Sequence, residues 1–234
     1  MRNYFTFGTL NSTTYGVYIS GQGTFGAPQK EQEFLPVPGR NGDLISKESR
    51  FQNYELRYPA FIYANWEQNI SDFRNAINAL KGHQRLEDTY NANEFRMAAF
   101  AGEIMPEVVP MNNAGEFEIV FSCKPQRFLT SGETAVTLTA DGGITNPTLF
   151  PSQPLIVVTG RGTLGIGSQS VEITGVTPVT IDCEMMDCYQ GAYSRNDAIS
   201  FSDYNFPVLQ PGINNITLGG NISKVVITPR WWKL

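Results

Sequence analysis

The residues that could do chemistry are few and far apart in this chain. His83 is the single histidine. A Ser-His-Asp or Cys-His pair would have to use it, and it stands one residue past a glycine expected to end a helix. No G-x-S-x-G nucleophile elbow is present. Cys183 and Cys188, in CEMMDC, are five positions apart, and Cys123 is the third cysteine. Zinc takes about four ligands, usually in closer pairs, so this scattered set reads instead as small buried hydrophobes. An odd number of cysteines implies no disulfide framework and suits free thiols in a reducing compartment. Glu184 and Asp187 are close in sequence, but a glycosidase pair is defined by its separation in space, and an exposed acidic loop is the expectation. GQGTFG (21–26) is a literal G-x-G-x-x-G. A dinucleotide site needs a helix to open at its last glycine, whereas the continuation APQKEQEFLPVPG, with Pro28, Pro36 and Pro38, is extended chain. Tyr189, Tyr193 and Tyr204 could stack on sugar rings, although amphipathic aromatics commonly sit half-buried in strands and loops. No catalytic, cofactor-binding or metal site is expected, and the chain does not read as an enzyme.

Composition sets the frame for these residues. The 234 residues are 41% apolar and 17% charged, enough for a core and too few charges for a disordered chain. Twenty-two Gly, fourteen Pro and an aromatic content of 12% suit a β-rich fold with many turns. A net charge of −5 leaves no basic footprint for specific nucleic-acid binding. No stretch approaches the ~18 consecutive apolar residues of a membrane helix, and MRNYFTFGTL lacks an apolar signal region. A soluble protein made in the cytoplasm is expected.

The periodicity predicts one helix over 66–81. Trp66, Ile70, Phe73, Ile77 and Leu80 fall at spacings of 4, 3, 4 and 3, which puts all five on one face. Asn65 is placed as N-cap, Gln68 at the capping-box position and Gly82 as the C′ residue. Strands are predicted at 15–20, 94–100 and 116–123, the last with Phe117, Ile119, Phe121 and Cys123 on one face. Arg40-Asn41-Gly42-Asp43 marks a hairpin turn, with Gly42 at positive φ. Beyond residue 130 charges thin out, from 12 basic and 14 acidic residues in 1–130 to 5 and 8 in 131–234. Short strand candidates follow at close intervals with no helix period, the pattern of an antiparallel sandwich. Two domains are expected, 1–129 and 130–234.

The chain closes on ITPRWWKL. KVVIT (224–228) is expected to be the last sandwich strand, stopped by Pro229, which has no N–H. Trp231 and Trp232 are expected to point opposite ways near Pro125, Phe128 and Leu129, one indole toward the linker or first domain and one toward the sandwich base or a partner. Arg230 and Lys233 are expected to keep that seam soluble.

Seven phrases in order, YGVYISGQGTFGAP, VPGRNGDLI, YPAFI, HQRLEDTY, CKPQRFL, ITNPTLFPSQPLIVVTG and ITPRWWKL, resemble the distal tail protein (Dit) family of siphophages and their prophages, from about Tyr15 to Leu234. The resemblance implies a mainly β fold, with an α+β belt domain (1–129) carrying one amphipathic helix and a galectin-like β-sandwich (130–234). It implies a homo-hexameric ring at the tip of a long non-contractile tail, made in the host cytoplasm. Such a ring joins the tail tube protein and tape measure to the tail-associated lysin or tail-fibre hub, and its outer domain often holds receptor-binding proteins. Arg40, Asn41, Gly42, Trp231 and Trp232 are the interface residues suggested. A carbohydrate-binding module contacting the cell surface is the alternative. Residues 131–234 have no histidine, and their only tryptophans are the two at the chain end. A galectin's sugar-binding constellation is therefore missing, and fold likeness alone does not carry its function.

Overall fold

A computed structural model describes residues 2–20, 26–63, 65–109, 114–175 and 177–234. All but the last glycine of the GQGTFG motif lies outside the described residues. The fold is mainly β, with one α-helix among the described residues. It divides into two compact units, residues 1–127 with Leu234, and residues 128–233.

The first unit contains β1 (Phe5–Phe7), β2 (Leu10–Asn11), β3 (Val17–Ile19), β4 (Lys30–Leu35), β5 (Leu44–Phe51), β6 (Tyr54–Tyr63), α1 (Trp66–Ala79), β7 (Gln84–Asp88), β8 (Glu94–Phe100), β9 (Glu107–Val109) and most of β10 (Ala114–Leu129). One sheet runs in the order β2-β1-β7-β8-β10-β6-β3, with β9 added to β10. A bridge from Asn3 to Ile19 ties the residues before β1 back to β3 at the far end of that order, so the sheet curls on itself. Alternation decides its faces. On β6, Leu56, Tyr58, Ala60 and Ile62 are buried, while Glu55, Arg57 and Pro59 are exposed. On β10, Phe117, Ile119, Phe121 and Cys123 point inward, as the sequence pattern predicts.

Helix α1 packs its stripe on this interior. Ile70, Phe73 and Ile77 are buried, and Trp66 and Leu80 are partly buried against the same core. The Phe73 ring meets Phe5 at 6.4 Å and Phe117 at 6.2 Å. The capping differs from expectation. Asn65 adopts the left-handed conformation (φ 49°) and makes no side-chain cap bond, a conformation asparagine tolerates better than most residues. Gln68 reaches forward to Asp72 at 3.0 Å instead of back to the cap. Gly82 has the positive φ expected of it (69°), two residues beyond the Leu80 C-cap rather than one.

One buried polar network crosses this core. Arg96 is fully buried. Its Nη1 donates to Asp88 Oδ2 at 3.2 Å and its Nε to the Tyr54 hydroxyl at 2.9 Å. The Tyr58 hydroxyl donates to the same Asp88 oxygen at 2.6 Å, and the backbone N–H groups of Tyr90 and Asn91 donate to Oδ1. Burial, followed by the Asp88 charge, pushes the Tyr58 hydroxyl well above its ordinary pKa, so it stays a donor.

The second unit contains β11 (Val136–Leu138), β12 (Gly142–Asn146), β13 (Leu155–Thr159), β14 (Gly162–Ile166), β15 (Gln169–Ile173), β16 (Val179–Asp182), β17 (Asp187–Gln190), β18 (Tyr193–Ser194), β19 (Ile199–Phe201), β20 (Gly212–Leu218), β21 (Lys224–Thr228) and β22 (Trp232–Lys233). One sheet has the order β11-β21-β13-β16-β17-β18 and the other β12-β20-β14-β15-β19. Their inward residues, such as Ile156 and Ile181 of the first sheet and Leu164 and Val171 of the second, form a single buried cluster. This is the antiparallel sandwich that the short alternating strands predict.

Candidate functional site: a free-standing hairpin and the C-terminal segment

Strands β4 and β5 pair with each other and with no other strand among the described residues. Their register sets Phe34 against Ile45 and Leu35 against Leu44 at the tip end. Neighbouring strand positions face opposite ways, so each face of the ribbon carries one apolar pair. Exposures of 55% and 51% for Phe34 and Ile45, and 46% and 41% for Leu35 and Leu44, leave both faces in water. The connecting loop, residues 36–43, is longer than a two-residue turn. It turns on Gly39 (φ 79°) and Gly42 (φ 82°), each with open space around it. Arg40 and Asn41 stand exposed between them. The positive φ expected of Gly42 is present; the tight Asn-Gly turn is replaced by this wider loop.

A shallow groove of about 370 Å³ opens on the outer face of the curled sheet. Its lining includes Pro59 and Phe61 of β6, Glu116 and Glu118 of β10, Glu107 of β9, and Met105, which is 71% exposed. Arg57 pairs with Glu118 at 2.8 Å. Glu107 and Glu116 make no ion pair among the described residues.

The C-terminal segment behaves in the opposite way. Trp231 is 5% exposed and belongs to the core of the second unit, with Leu129 packed against the same cluster. The Leu129 N–H donates to Trp231 O at 2.8 Å, and the Arg230 N–H to Gly132 O at 2.8 Å. A Cβ on Gly132 would collide with the Trp231 backbone, so only glycine lets the segment pass. Trp232 stacks on Phe150 at 4.5 Å, and its Nε1 donates to Pro151 O at 3.0 Å. The two indoles meet different partners, and within this unit each has a packed face. Arg230 departs from its expected role as a solvating cation. It grips Asp182 with both Nη atoms at 2.7 and 3.1 Å. Burial alone would raise the Asp182 carboxyl; the hydrogen bonds from Arg230 and the Met185 N–H outweigh it and hold the group below the usual carboxylate range.

The residues singled out for chemistry go elsewhere. Cys123 lies in the first core, Cys183 and Cys188 in the second, and burial pushes all three thiols up to about 12. His83 is exposed after the helix. Glu184 faces Arg230 at 3.5 Å, whereas Asp187 accepts from Asn196 at 2.8 Å. Tyr189 is opposite Ser194 and Tyr193 opposite Gln190, which turns the two rings to opposite faces of that hairpin. Tyr204 follows β19 of the other sheet, 96% exposed. The three tyrosines share no face.

The hairpin turn at Arg40-Asn41-Gly42-Asp43 is legible in the sequence; the groove is not, because its lining comes from separate strands.

No protein-family model and no curated protein sequence matches the chain. Solved structures do. The SPP1 Dit protein, described as a paradigm of the hub adsorption apparatus in phages infecting Gram-positive hosts, superposes with a TM-score of 0.77 at 11% identity, over 100% of both chains. A chain of the phage P2 baseplate in its activated, Ca-bound conformation superposes with a TM-score of 0.50 at 12% identity, over 97% of this chain and 98% of that one. The chain therefore has, from end to end and in both units, the fold of a phage Dit hub protein.

Proposed function

We propose that this chain is the structural hub of a long non-contractile phage tail tip, a hexameric ring that joins the tail tube and tape measure to the tail-associated lysin or fibre hub, and that it is not an enzyme. The observation that carries the reading is the hairpin. A two-stranded ribbon is marginal on its own in water, and apolar residues exposed on both its faces mark a surface built to meet another. A ring supplies that surface. In a cyclic assembly each subunit offers one patch to the neighbour on one side and a different patch to the other. The end-to-end likeness to a hub protein supports the same reading, as does the dispersal of the titratable residues into packing and ion-pair roles. The hairpin tip, with Arg40, Asn41 and Gly42, is the first contact assigned to the assembled tail. The C-terminal segment is the second, with Trp232 as its accessible ring and Trp231 as the anchor behind it. Native mass spectrometry of the purified chain tests this. A species of six times the chain mass of 26.0 kDa is expected, and rings of that stoichiometry at the tips of isolated tails. A chain that stays monomeric in both settings rejects the ring.

A further inference from the structure

The hairpin tip and the outer-face groove are two uncovered surfaces of one chain, and their chemistry is complementary. The tip offers aliphatic and aromatic side chains on both faces and one guanidinium, Arg40, with no ion pair among the described residues. The groove offers Pro59, Phe61 and the thioether of Met105 with the carboxylates of Glu107 and Glu116, which make no ion pair among the described residues. A flat surface would cover only one face of the ribbon and leave the other apolar pair in water. A groove with a flexible methionine on its wall can touch both.

We propose that the hairpin tip of one copy of this chain seats in the outer-face groove of a second copy. This rests on the ring reading above and names the contact that would build the ring. Phe34, Leu35, Leu44 and Ile45 lose their water against Phe61 and Met105, and Arg40 comes to Glu107 and Glu116. The apolar contact supplies most of the affinity, because exposed ion pairs are screened by water and salt and contribute little. The charges set direction and register. Strand β5 has eight residues, a reach of about 25 Å at ~3.3 Å per residue, long enough to cross to a neighbour. The contact is one-way, tip on one side and groove on the other, so it repeats into a closed ring or a filament rather than stopping at a symmetric pair.

A charge exchange tests it. Arg40→Glu and Glu116→Arg change exposed side chains and leave the cores untouched. Wild type, each single variant and the double variant are sized by native mass spectrometry at matched concentrations. Each single variant is expected to need at least tenfold more protein to assemble, and the double variant to regain most of the loss. A chain carrying Arg40→Cys and Glu116→Cys is expected to give a ladder of linked chains with a short bis-maleimide, since the three native cysteines are buried. Full-size assemblies in both single variants, with no ladder, overturn the groove contact and leave the ring reading standing. A wild-type chain that is monomeric in solution and in isolated tails overturns both.

Discussion

The tip of the β4–β5 hairpin and the C-terminal segment carry similar cargo, a few large apolar side chains with one arginine, yet they end in opposite states. Trp231 is 5% exposed, whereas Phe34 is 55% exposed. Arg230 closes a two-pronged pair with Asp182, and Arg40 has no such partner among the described residues. The difference lies in what each segment can reach within its own unit. The C-terminal segment is laced by backbone bonds to Leu129 and Gly132 at the start of its unit, which delivers its indole into a core already built by two sheets. Among the described residues the strands of the hairpin pair only with each other, and its tip delivers Phe34, Leu35, Leu44 and Ile45 to water. Apolar residues therefore mean self-stabilisation in one place and stored contact surface in the other.

Three substitutions sharpen or break this contrast. The largest effect is expected from Trp231→Ala, which empties a core position and should cost about 3–5 kcal/mol, read as a lower melting transition for the second unit. A change below ~1 kcal/mol, the scale of a surface site, would mean the indole is not held as described. Asp182→Asn comes next. It removes the two-pronged carboxylate that Arg230 grips, leaving Glu184 at 3.5 Å, and should cost about 1–3 kcal/mol at neutral pH. The folded carboxyl is held below its unfolded pKa of about 3.9, so its contribution is full above that value and is lost as pH falls through the folded pKa. The gap between variant and wild type should therefore close in acid, and denaturant titrations at several pH values that show a constant gap would refute the ion pair. The smallest effect on stability is expected from Phe34→Ala, within ~0.5 kcal/mol for the unassembled chain. That same change should weaken assembly, and a large loss of stability in the monomer would instead make the hairpin part of a core.

Much of the fold is legible in the sequence because it follows local periods. The 4-3-4-3 stripe gives α1, and the strand predicted at 94–100 coincides with β8 to the residue. Strand β6 is hidden by Pro59, which usually argues against an interior strand. Its register resolves the conflict. Pro59 O accepts from Ser20 N at 2.7 Å, and the N and C=O of one strand residue point to the same side. The missing N–H thus faces the end of β3 and no ladder bond is lost to β10. The helix cap departs from the sequence pattern because Asn65 takes a left-handed turn, which its residue type permits but does not announce. Of the candidate contacts, Gly42 and the terminal tryptophans were visible as residue types. The uncovered state of Phe34, Leu35, Leu44 and Ile45 was not, because hydrophobicity marks what wants cover and says nothing of whether the chain supplies it. The Arg230–Asp182 pair spans 48 positions and has no local signature.

The Asp88–Arg96 pair has a bearing on how the first unit opens. Its members and their hydroxyl partners sit on β6, β7 and β8, and both charged side chains are fully shielded from water. Peeling β7 or β8 away would strand a charge in an apolar interior, at a cost of about 3–5 kcal/mol, and peeling β6 away would strip a hydroxyl partner from each charge. Opening the whole unit hydrates both charges together and avoids that intermediate. The network therefore penalises partial exposure more than complete exposure. It couples three strands into a single cooperative unit, whose backbone amides should exchange with deuterium as one block rather than strand by strand.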